Sequence, residues 1–256
     1  MTKPYTLKKS LGQHFLHDEN MCRKIVQQLR YQPGAQVLEV GPGGGALSKY
    51  LIEESIDYKA VEIDKEKYEY LQHTYPALKG RIILQDILQA DIPFAGRFHV
   101  IGNFPYNISS PIMFRMLDWQ EQVDEIIGMF QKEVAQRIAA GPGSKMYGIL
   151  SVLTQAYFSV EYLFDVPPGC FTPPPKVMSG VLHCANLNNP FAIKNFPKFK
   201  QMVKMAFGQR RKTLRNALKG FIPVQDVEKE LMDKRAEQLT VAQFVALYKR
   251  FFEANG

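Results

Sequence analysis

The sequence predicts an α/β protein with an open, mostly parallel sheet, followed by a small all-helical region. Three observations lead to this fold class. The apolar run at residues 36–40 passes directly into a glycine-rich loop and then a helical pattern. Further short apolar runs follow, and several end in a polar residue. Beyond residue 189 the hydrophobic spacing is helical, with no further β pattern.

Composition bounds the kind of protein. The chain has 256 residues, of which 46% are hydrophobic, enough for one large core and a smaller appendage. The net charge is +7, and from residue 189 onward lysine and arginine exceed the acids by 8, so a polyanionic partner is expected there. The three cysteines are scattered, so we expect neither a disulfide framework nor a metal site. No signal or membrane-spanning segment is expected, and we predict a cytoplasmic monomer.

The first functional motif follows the predicted strand at 36–40, which comes after a helix expected at residues 18–30. Gly41-Pro-Gly43-Gly-Gly-Ala leads into a predicted helix at 47–54. Glycines let a backbone approach a ligand closely, and the helix start offers free N–H groups. This pattern also fits a nicotinamide dehydrogenase, but it excludes a P-loop because no Gly-Lys-Ser/Thr follows.

Acidic residues end the next two strands. Glu62 follows the strand at 58–61, and a carboxylate at this position can accept hydrogen bonds from both hydroxyls of a ribose. Asp64, two residues later, is expected to cap the next helix. Asp86 follows the strand at 81–84 and could accept from the amino group of an adenine. For each acid the alternative is a helix cap, the commoner role after a strand.

The fourth strand, at 98–101, ends in Asn103-Phe104-Pro105-Tyr106. The side-chain carbonyl of Asn103 and the main-chain carbonyl of Phe104 can accept from a planar amine, because Pro105 fixes the turn. Tyr106 offers a flat face for a base. A plain strand-to-helix turn is the alternative. Since the ends of parallel strands share one crevice, the four motifs together favour a site, and a dehydrogenase would not need the last one.

The later elements complete the sheet and its helices. Helices are expected at 110–119, 131–140 and 147–157, and a strand at 125–130. Strands at 160–166 and 177–184 could form an antiparallel edge. Between them, Phe171 lies in a proline-rich loop. We predict that it forms a second wall opposite Tyr106, the alternative being a packed loop aromatic.

The C-terminal region is predicted to bind RNA. Residues 186–190 form a linker, and helices are expected at 198–207, 212–218, 227–232 and 241–252. The densest basic run contributes Arg210, Arg211, Lys212 and Arg215, which suit phosphate contact better than a solvated face in so basic a region. We therefore predict a catalytic domain at 1–188 and a helical RNA-binding domain at 189–256.

Taken in order, these motifs resemble the small-subunit (16S-type) ribosomal RNA adenine N6-dimethyltransferases. The resemblance covers nearly the whole chain. It rests on Gly-Gln-His14-Phe-Leu16, Glu39-Val-Gly-Pro-Gly43, Glu62-Ile-Asp64, Gln85-Asp86, Asn103-Phe-Pro-Tyr-Asn-Ile-Ser109, the run at 173–179 and the run at 209–216. It implies a class I methyltransferase (Rossmann-like) fold, with a mostly parallel seven-stranded sheet and an antiparallel edge strand. It also implies that S-adenosylmethionine is held by His14, Leu16, Gly41, Gly43, Glu62, Asp86 and Asn103.

The resemblance further implies the reaction. Two adjacent adenosines in a hairpin loop near the 3′ end of small-subunit rRNA would be dimethylated at N6 on an assembling subunit. Asn is frequent in place of His14, and Leu or Ile in place of Phe104, but neither departure removes a needed group. Alternatives are the large-subunit rRNA methyltransferases of macrolide resistance, which share the front motifs, and a mainly non-catalytic assembly factor. A nicotinamide oxidoreductase and a DNA adenine methylase are less favoured.

Overall fold

The structure is a computed structural model that describes residues 14–209 and 211–253. Within these residues the chain forms nine β-strands and ten α-helices. The strands are β1 (Phe15–Leu16), β2 (Gln36–Val40), β3 (Asp57–Glu62), β4 (Ile82–Leu84), β5 (Phe98–Asn103), β6 (Val123–Gln131), β7 (Phe158–Val166), β8 (Phe171–Thr172) and β9 (Ser179–Asn186). The helices are α1 (Glu19–Val26), α2 (Ser48–Leu51), α3 (Lys65–Thr74), α4 (Ser109–Asp118), α5 (Lys132–Ala139), α6 (Ile149–Gln155), α7 (Phe196–Gly208), α8 (Leu214–Ala217), α9 (Lys229–Met232) and α10 (Val241–Phe252).

Seven strands form the main sheet, in the order β4-β3-β2-β5-β6-β9-β7. The first five are parallel, and β9 runs antiparallel to β6. The predicted fold class is therefore confirmed, with the antiparallel strand β9 lying one place inside the edge. The carboxyl ends of β2 to β5 lie side by side, which is where open parallel sheets bind ligands.

The central strands are apolar because both faces of the sheet are covered. Val37, Val40, Val100 and Ile101 are all buried on β2 and β5. Strands of this kind read as continuous apolar runs without alternation, which is why the sequence shows them clearly.

A second, two-stranded sheet joins β1 to β8, with Leu16 opposite Phe171. It ties the segment after residue 13 to the loop that precedes β9. The Nδ1 atom of His14 extends this pairing, lying 2.8 Å from the carbonyl oxygen of Pro173.

Side-chain caps set several helix starts. Asp18 accepts from the backbone of Met21 to begin α1, and Asp64 accepts from Glu66 to begin α3, as predicted for Asp64. Several predicted helices are shorter than expected; the first, for example, ends at Val26 and not at residue 30. The helix expected at 47–54 reduces to α2, and that expected at 212–218 reduces to α8, because Thr213 is extended (ψ 159°).

A buried acid joins β6 to its neighbours at the other end of the sheet. Glu125 accepts from His99 on β5 at 2.9 Å, from His183 on β9 at 2.7 Å and from the backbone of Arg30 at 2.7 Å. Burial alone would raise the pKa of Glu125, but these three donors outweigh it and lower the pKa to about 2.

The chain divides into two compact units. The first comprises the described residues up to 135 together with 161–186; the second comprises 136–160 and the described residues from 187 onward. The second unit thus adds α6 to the C-terminal helices. Its core contains ring contacts of Phe207 with Tyr147 (6.1 Å) and with Phe244 (5.8 Å). The assignment of catalysis to 1–188 and RNA binding to 189–256 stays a prediction.

Two features are absent from the described part of the chain. None of its helices is long and apolar enough to cross a membrane. Nor do three or more of its histidine, cysteine, aspartate or glutamate side chains group in a way that could hold a metal ion.

Candidate active site

A pocket of about 410 Å³ lies in the first unit at the carboxyl ends of β2 to β5. All the residues predicted to bind the cofactor or to act in catalysis line it, although they come from five separate segments of the sequence. They are His14, Leu16, Gly41, Gly43, Glu62, Asp86, Asn103, Phe104, Pro105 and Tyr106.

The glycine loop forms one side of this pocket in a conformation that favours glycine. Gly43 has φ +58°, and its backbone N–H donates to Glu62 at 3.0 Å. Gly45 has φ +83°, and a Cβ there would lie 2.7 Å from the ring of Tyr75. A side chain at Gly45 would therefore force the loop or the ring to move.

Glu62 braces that loop as well as facing the pocket. One carboxylate oxygen accepts from Gly43 and the other from the backbone of Asp64 at 2.9 Å. Only 5% of the residue is exposed, so burial raises its pKa, and the two backbone donors and Lys67 counteract this. Each oxygen has a second lone pair, so Glu62 can still accept from ligand hydroxyls.

Lys67 is an unexpected feature of the pocket wall. The residue is only 1% exposed, and its ammonium lies 3.3 Å from Asp64 and 5.0 Å from the centre of the Phe15 ring. A buried ammonium needs such partners, because water no longer solvates it. Lys67 thereby connects the helix after β3 to strand β1.

Sequence reasoning gave no role to Glu39, which also lines the pocket. One of its oxygens accepts from Ser48 at 2.7 Å and from Tyr58 at 2.6 Å. Burial, only partly offset by these donors, raises the pKa of Glu39 to about 7. The available signal was an acid inside an apolar strand, directly before a glycine loop.

Asp86 lines the pocket, and a turn replaces the helix cap that was its alternative role. Its Oδ1 accepts from the backbone of Leu88 at 2.9 Å, which makes a local turn after β4. The residue also lines the pocket and is only partly buried. A carboxylate can accept several hydrogen bonds, so this turn leaves capacity for a ligand.

Asn103 is held at the end of β5 by His14, the residue that precedes β1. Its Nδ2 donates to the main-chain carbonyl of His14 at 3.0 Å. This bond uses only the amide nitrogen, so Oδ1 is not needed for it. Asn103 is thus held in the pocket wall with an acceptor atom that the bond to His14 does not use, as the planar-amine hypothesis requires.

Phe104 is explained by two glycines on adjacent strands. Its ring is fully buried and meets Phe130 edge to face at 5.1 Å. A Cβ at Gly102 or Gly128 would approach this ring to 2.7 Å or 2.8 Å. The glycines therefore make room for a phenylalanine where a smaller apolar residue is more usual, and the ring acts in packing.

Tyr106 lies in the turn after β5 and is held at three points. Its hydroxyl lies 2.5 Å from the hydroxyl of Ser179, its carbonyl accepts from Ser109 at 3.2 Å, and its ring stacks on His14 with centroids 5.3 Å apart. Burial raises the pKa of Tyr106 although the Ser179 hydroxyl counteracts this, so the phenol stays neutral. Neither the Ser179 contact nor the His14 contact was predicted.

Phe171 is not in the position we predicted. The residue is 2% exposed, is paired with Leu16 through β1 and β8, and packs in the hydrophobic core. It does not line the pocket, so the prediction of a wall opposite Tyr106 is wrong for this structure. The alternative of a packed aromatic describes it correctly.

The predicted RNA-binding residues lie in the second unit, except that Arg210 lies outside the described residues. Arg211 and Lys212 are exposed. Arg215 is partly buried and makes a salt bridge of 3.3 Å with Asp233.

Comparison with known proteins places this geometry in a family. The model of the ribosomal RNA adenine dimethylase family matches residues 5–253. A relative from Cytophaga hutchinsonii, named ribosomal RNA small subunit methyltransferase A, is 50% identical over 246 residues, covering 94% of this chain and 95% of the relative. The protein of the same name from Parabacteroides distasonis is 49% identical, covering 94% of this chain and 92% of the relative.

Solved structures agree on the fold. A dimethyladenosine transferase from Plasmodium falciparum has a TM-score of 0.78 at 22% identity, covering 93% of this chain and 98% of the other. The 23S rRNA methyltransferase ErmE has a TM-score of 0.71 at 24% identity, covering 93% and 99%. With a family model matched over almost its whole length, the chain belongs to the ribosomal RNA adenine dimethylase family.

Proposed function

We propose that this protein transfers methyl groups from S-adenosylmethionine to N6 of two adjacent adenosines in a hairpin loop near the 3′ end of small-subunit (16S) rRNA, giving N6,N6-dimethyladenosine. The observation that carries the proposal is Asn103, anchored to the carbonyl of His14 in the wall of the glycine-loop pocket. The names of the two bacterial relatives support the small subunit as the target. ErmE shares the fold at too low an identity to favour the large subunit.

The pocket fits S-adenosylmethionine in size and in chemistry. Its volume of about 410 Å³ lies within the usual range for small-molecule sites. The glycine loop would pass close to the cofactor, Glu62 would accept from the ribose hydroxyls, and Asp86 would accept from the adenine amino group. The bound cofactor supplies an electrophilic methyl group on a sulfonium. Glu39 and Glu62 also line the pocket, and a nearby positive charge would favour the ionised forms of these two buried acids, whose pKa values burial raises.

The protein's part in the reaction is to hold the attacking amine. An adenine amine is a poor nucleophile because its lone pair is delocalised into the ring. When Oδ1 of Asn103 and the carbonyl of Phe104 accept hydrogen bonds from its two N–H groups, the nitrogen is drawn toward a tetrahedral shape with its lone pair directed at the methyl group. Positioning and fixed dipoles of this kind supply several kcal/mol. The methylated nitrogen is acidic, so its proton leaves to water without a strong base.

The second transfer follows from the same contacts. A monomethylated amine keeps one proton, so only one of the two acceptors can be used. The site must then hold the base through the remaining hydrogen bond and through stacking on Tyr106. Stacking contributes about 1–3 kcal/mol per base, which offsets part of the cost of taking the adenine out of its loop.

The second unit would supply RNA affinity. Arg210, Arg211, Lys212 and Arg215 belong to a region with eight excess positive charges, suited to phosphate contact within an assembling 30S subunit. The proposal places the protein in the cytoplasm, where ribosomes assemble, acting as a monomer and without a metal.

The test is methyl transfer from labelled S-adenosylmethionine to a panel of substrates. Small subunits that lack the modification are compared with large subunits, free rRNA and duplex DNA, and the labelled nucleoside is identified. We expect dimethyladenosine in small-subunit rRNA only. Label in large-subunit rRNA would move the protein to the resistance branch, and tight small-subunit binding without transfer would leave only an assembly role.

A further inference from the structure

Ser179 is fully buried yet lies next to the catalytic turn. It begins β9, opposite Gln131 on β6, and the N–H of Lys132 donates to the carbonyl of Met178 at 2.9 Å. Its backbone is therefore held against the end of β6. Its hydroxyl lies 2.5 Å from the hydroxyl of Tyr106.

The backbone of Tyr106 is not part of a strand ladder, and its carbonyl accepts one hydrogen bond, from the Ser109 hydroxyl at 3.2 Å. It lies between β5 and α4, outside any strand or helix, and its ring can turn about its side-chain torsions. The phenol oxygen is the atom farthest from the backbone, so a contact there restrains the ring more than any contact near Cβ. His14 stacks on one face of the ring with an interplanar angle of 30°, so a base would have to stack on the opposite face.

We propose that Ser179 is a positioning residue, which acts through the phenol of Tyr106 to fix the plane on which the target adenine stacks. The inference rests on the proposed function, because it assumes that Tyr106 receives the base. The hydrogen bond connects the turn after β5 to the antiparallel ladder of β6 and β9. The phenol stays neutral near pH 7 and can donate to Ser179 or accept from it.

The first experiment is a double-mutant cycle with Ser179→Ala, Tyr106→Phe and the double variant in the full-length protein. Both single changes remove the same hydrogen bond. Each is expected to lower kcat/KM for small subunits about tenfold, the size expected for one neutral hydrogen bond, and the double variant no further. The affinity for S-adenosylmethionine should stay within twofold. Additive losses, or full activity of Ser179→Ala, would overturn the proposal.

Ser151→Ala is the matched control for the loss of a buried serine. Ser151 is equally buried, accepts from the backbone of Gly148 at 2.9 Å, donates to the carbonyl of Arg137 at 2.5 Å and belongs to the second unit. It should lower thermal stability about as much as Ser179→Ala and leave kcat/KM unchanged. If both serine variants lost activity equally, Ser179 would be a structural residue only.

A second measurement does not depend on methyl transfer. In NMR spectra of protein with carbon-13 labelled tyrosine, the ring signal of Tyr106 is the one that disappears in Tyr106→Phe. That signal should shift in Ser179→Ala and stay in place in Ser151→Ala. An unshifted signal would refute the contact whatever the activity. If the signal shifts as expected while the wild-type protein transfers no methyl group, the proposed function is refuted instead.

Discussion

Replacing Asn103 with alanine separates catalysis from folding and from RNA binding. The variant loses a donor to the carbonyl of His14, which costs about 1 kcal/mol of folding stability because water can reach this partly buried edge. It also loses the acceptor that directs the amine. Removal of one such preorganised group typically lowers kcat about 10²–10³-fold, equivalent to about 2.7–4 kcal/mol. A fold that is stable by about 5–15 kcal/mol survives the first loss.

The assay is single-turnover methyl transfer to unmodified small subunits, with RNA binding and thermal unfolding measured on the same samples. Asn186→Ala is the matched control. Its amide also donates to main-chain carbonyls, those of Gln120 and Val123 at 2.6 Å, but it does not line the pocket. We expect both variants to melt earlier and only Asn103→Ala to lose transfer. Equal losses of transfer and RNA binding in Asn103→Ala would refute the assigned role.

Three further predictions concern packing, pH and salt. Gly102→Ala would place a Cβ 2.6 Å from a main-chain oxygen of β2, so thermal unfolding should show about 1–3 kcal/mol of lost stability. Gly141→Ala is the control, because its Cβ would meet no atom within 4 Å, and it should lose little stability. Equal effects of the two changes would contradict this packing. The pKa of Glu125 is lower in the folded protein, so its contribution to folding stability is present above about pH 4.5 and is lost as the pH falls toward 2. Glu125→Gln should remove roughly 3 kcal/mol of that pH dependence in acid titrations followed by circular dichroism. An unchanged profile would contradict the hydrogen bonds assigned to Glu125. Replacing Arg210 and Arg211 with alanine should weaken RNA binding and reduce the salt slope by about 0.7–0.9 for each phosphate that is no longer neutralised, and an unchanged slope would place the RNA-binding surface elsewhere.

Much of the pocket could be predicted because its motifs are local. A strand end is visible as an apolar run that stops, and the polar residue that follows is adjacent in sequence. The parallel sheet then brings Gly41, Glu62, Asp86 and Asn103 together without further information, since the ends of neighbouring strands share one edge.

The wrong prediction and the missed contacts are all long-range. Phe171 is removed from the pocket by the pairing of two very short strands, β1 and β8, which no periodicity reveals. The contact of Ser179 with Tyr106 spans 73 positions, and that of Asn103 with His14 spans 89. The predicted helix lengths were wrong for a simpler reason. An extended residue such as Thr213 interrupts a helix that the hydrophobic periodicity alone would continue.

The central claim is that Asn103 and Phe104 hold the N6 amine of adenine beside the cofactor. The most direct measurement is a crystal structure of the protein with S-adenosylhomocysteine and adenosine bound. We predict that N6 lies about 2.7–3.2 Å from both Oδ1 of Asn103 and the carbonyl oxygen of Phe104, with the base stacked on Tyr106. An adenosine bound with N6 away from both oxygens would contradict the account.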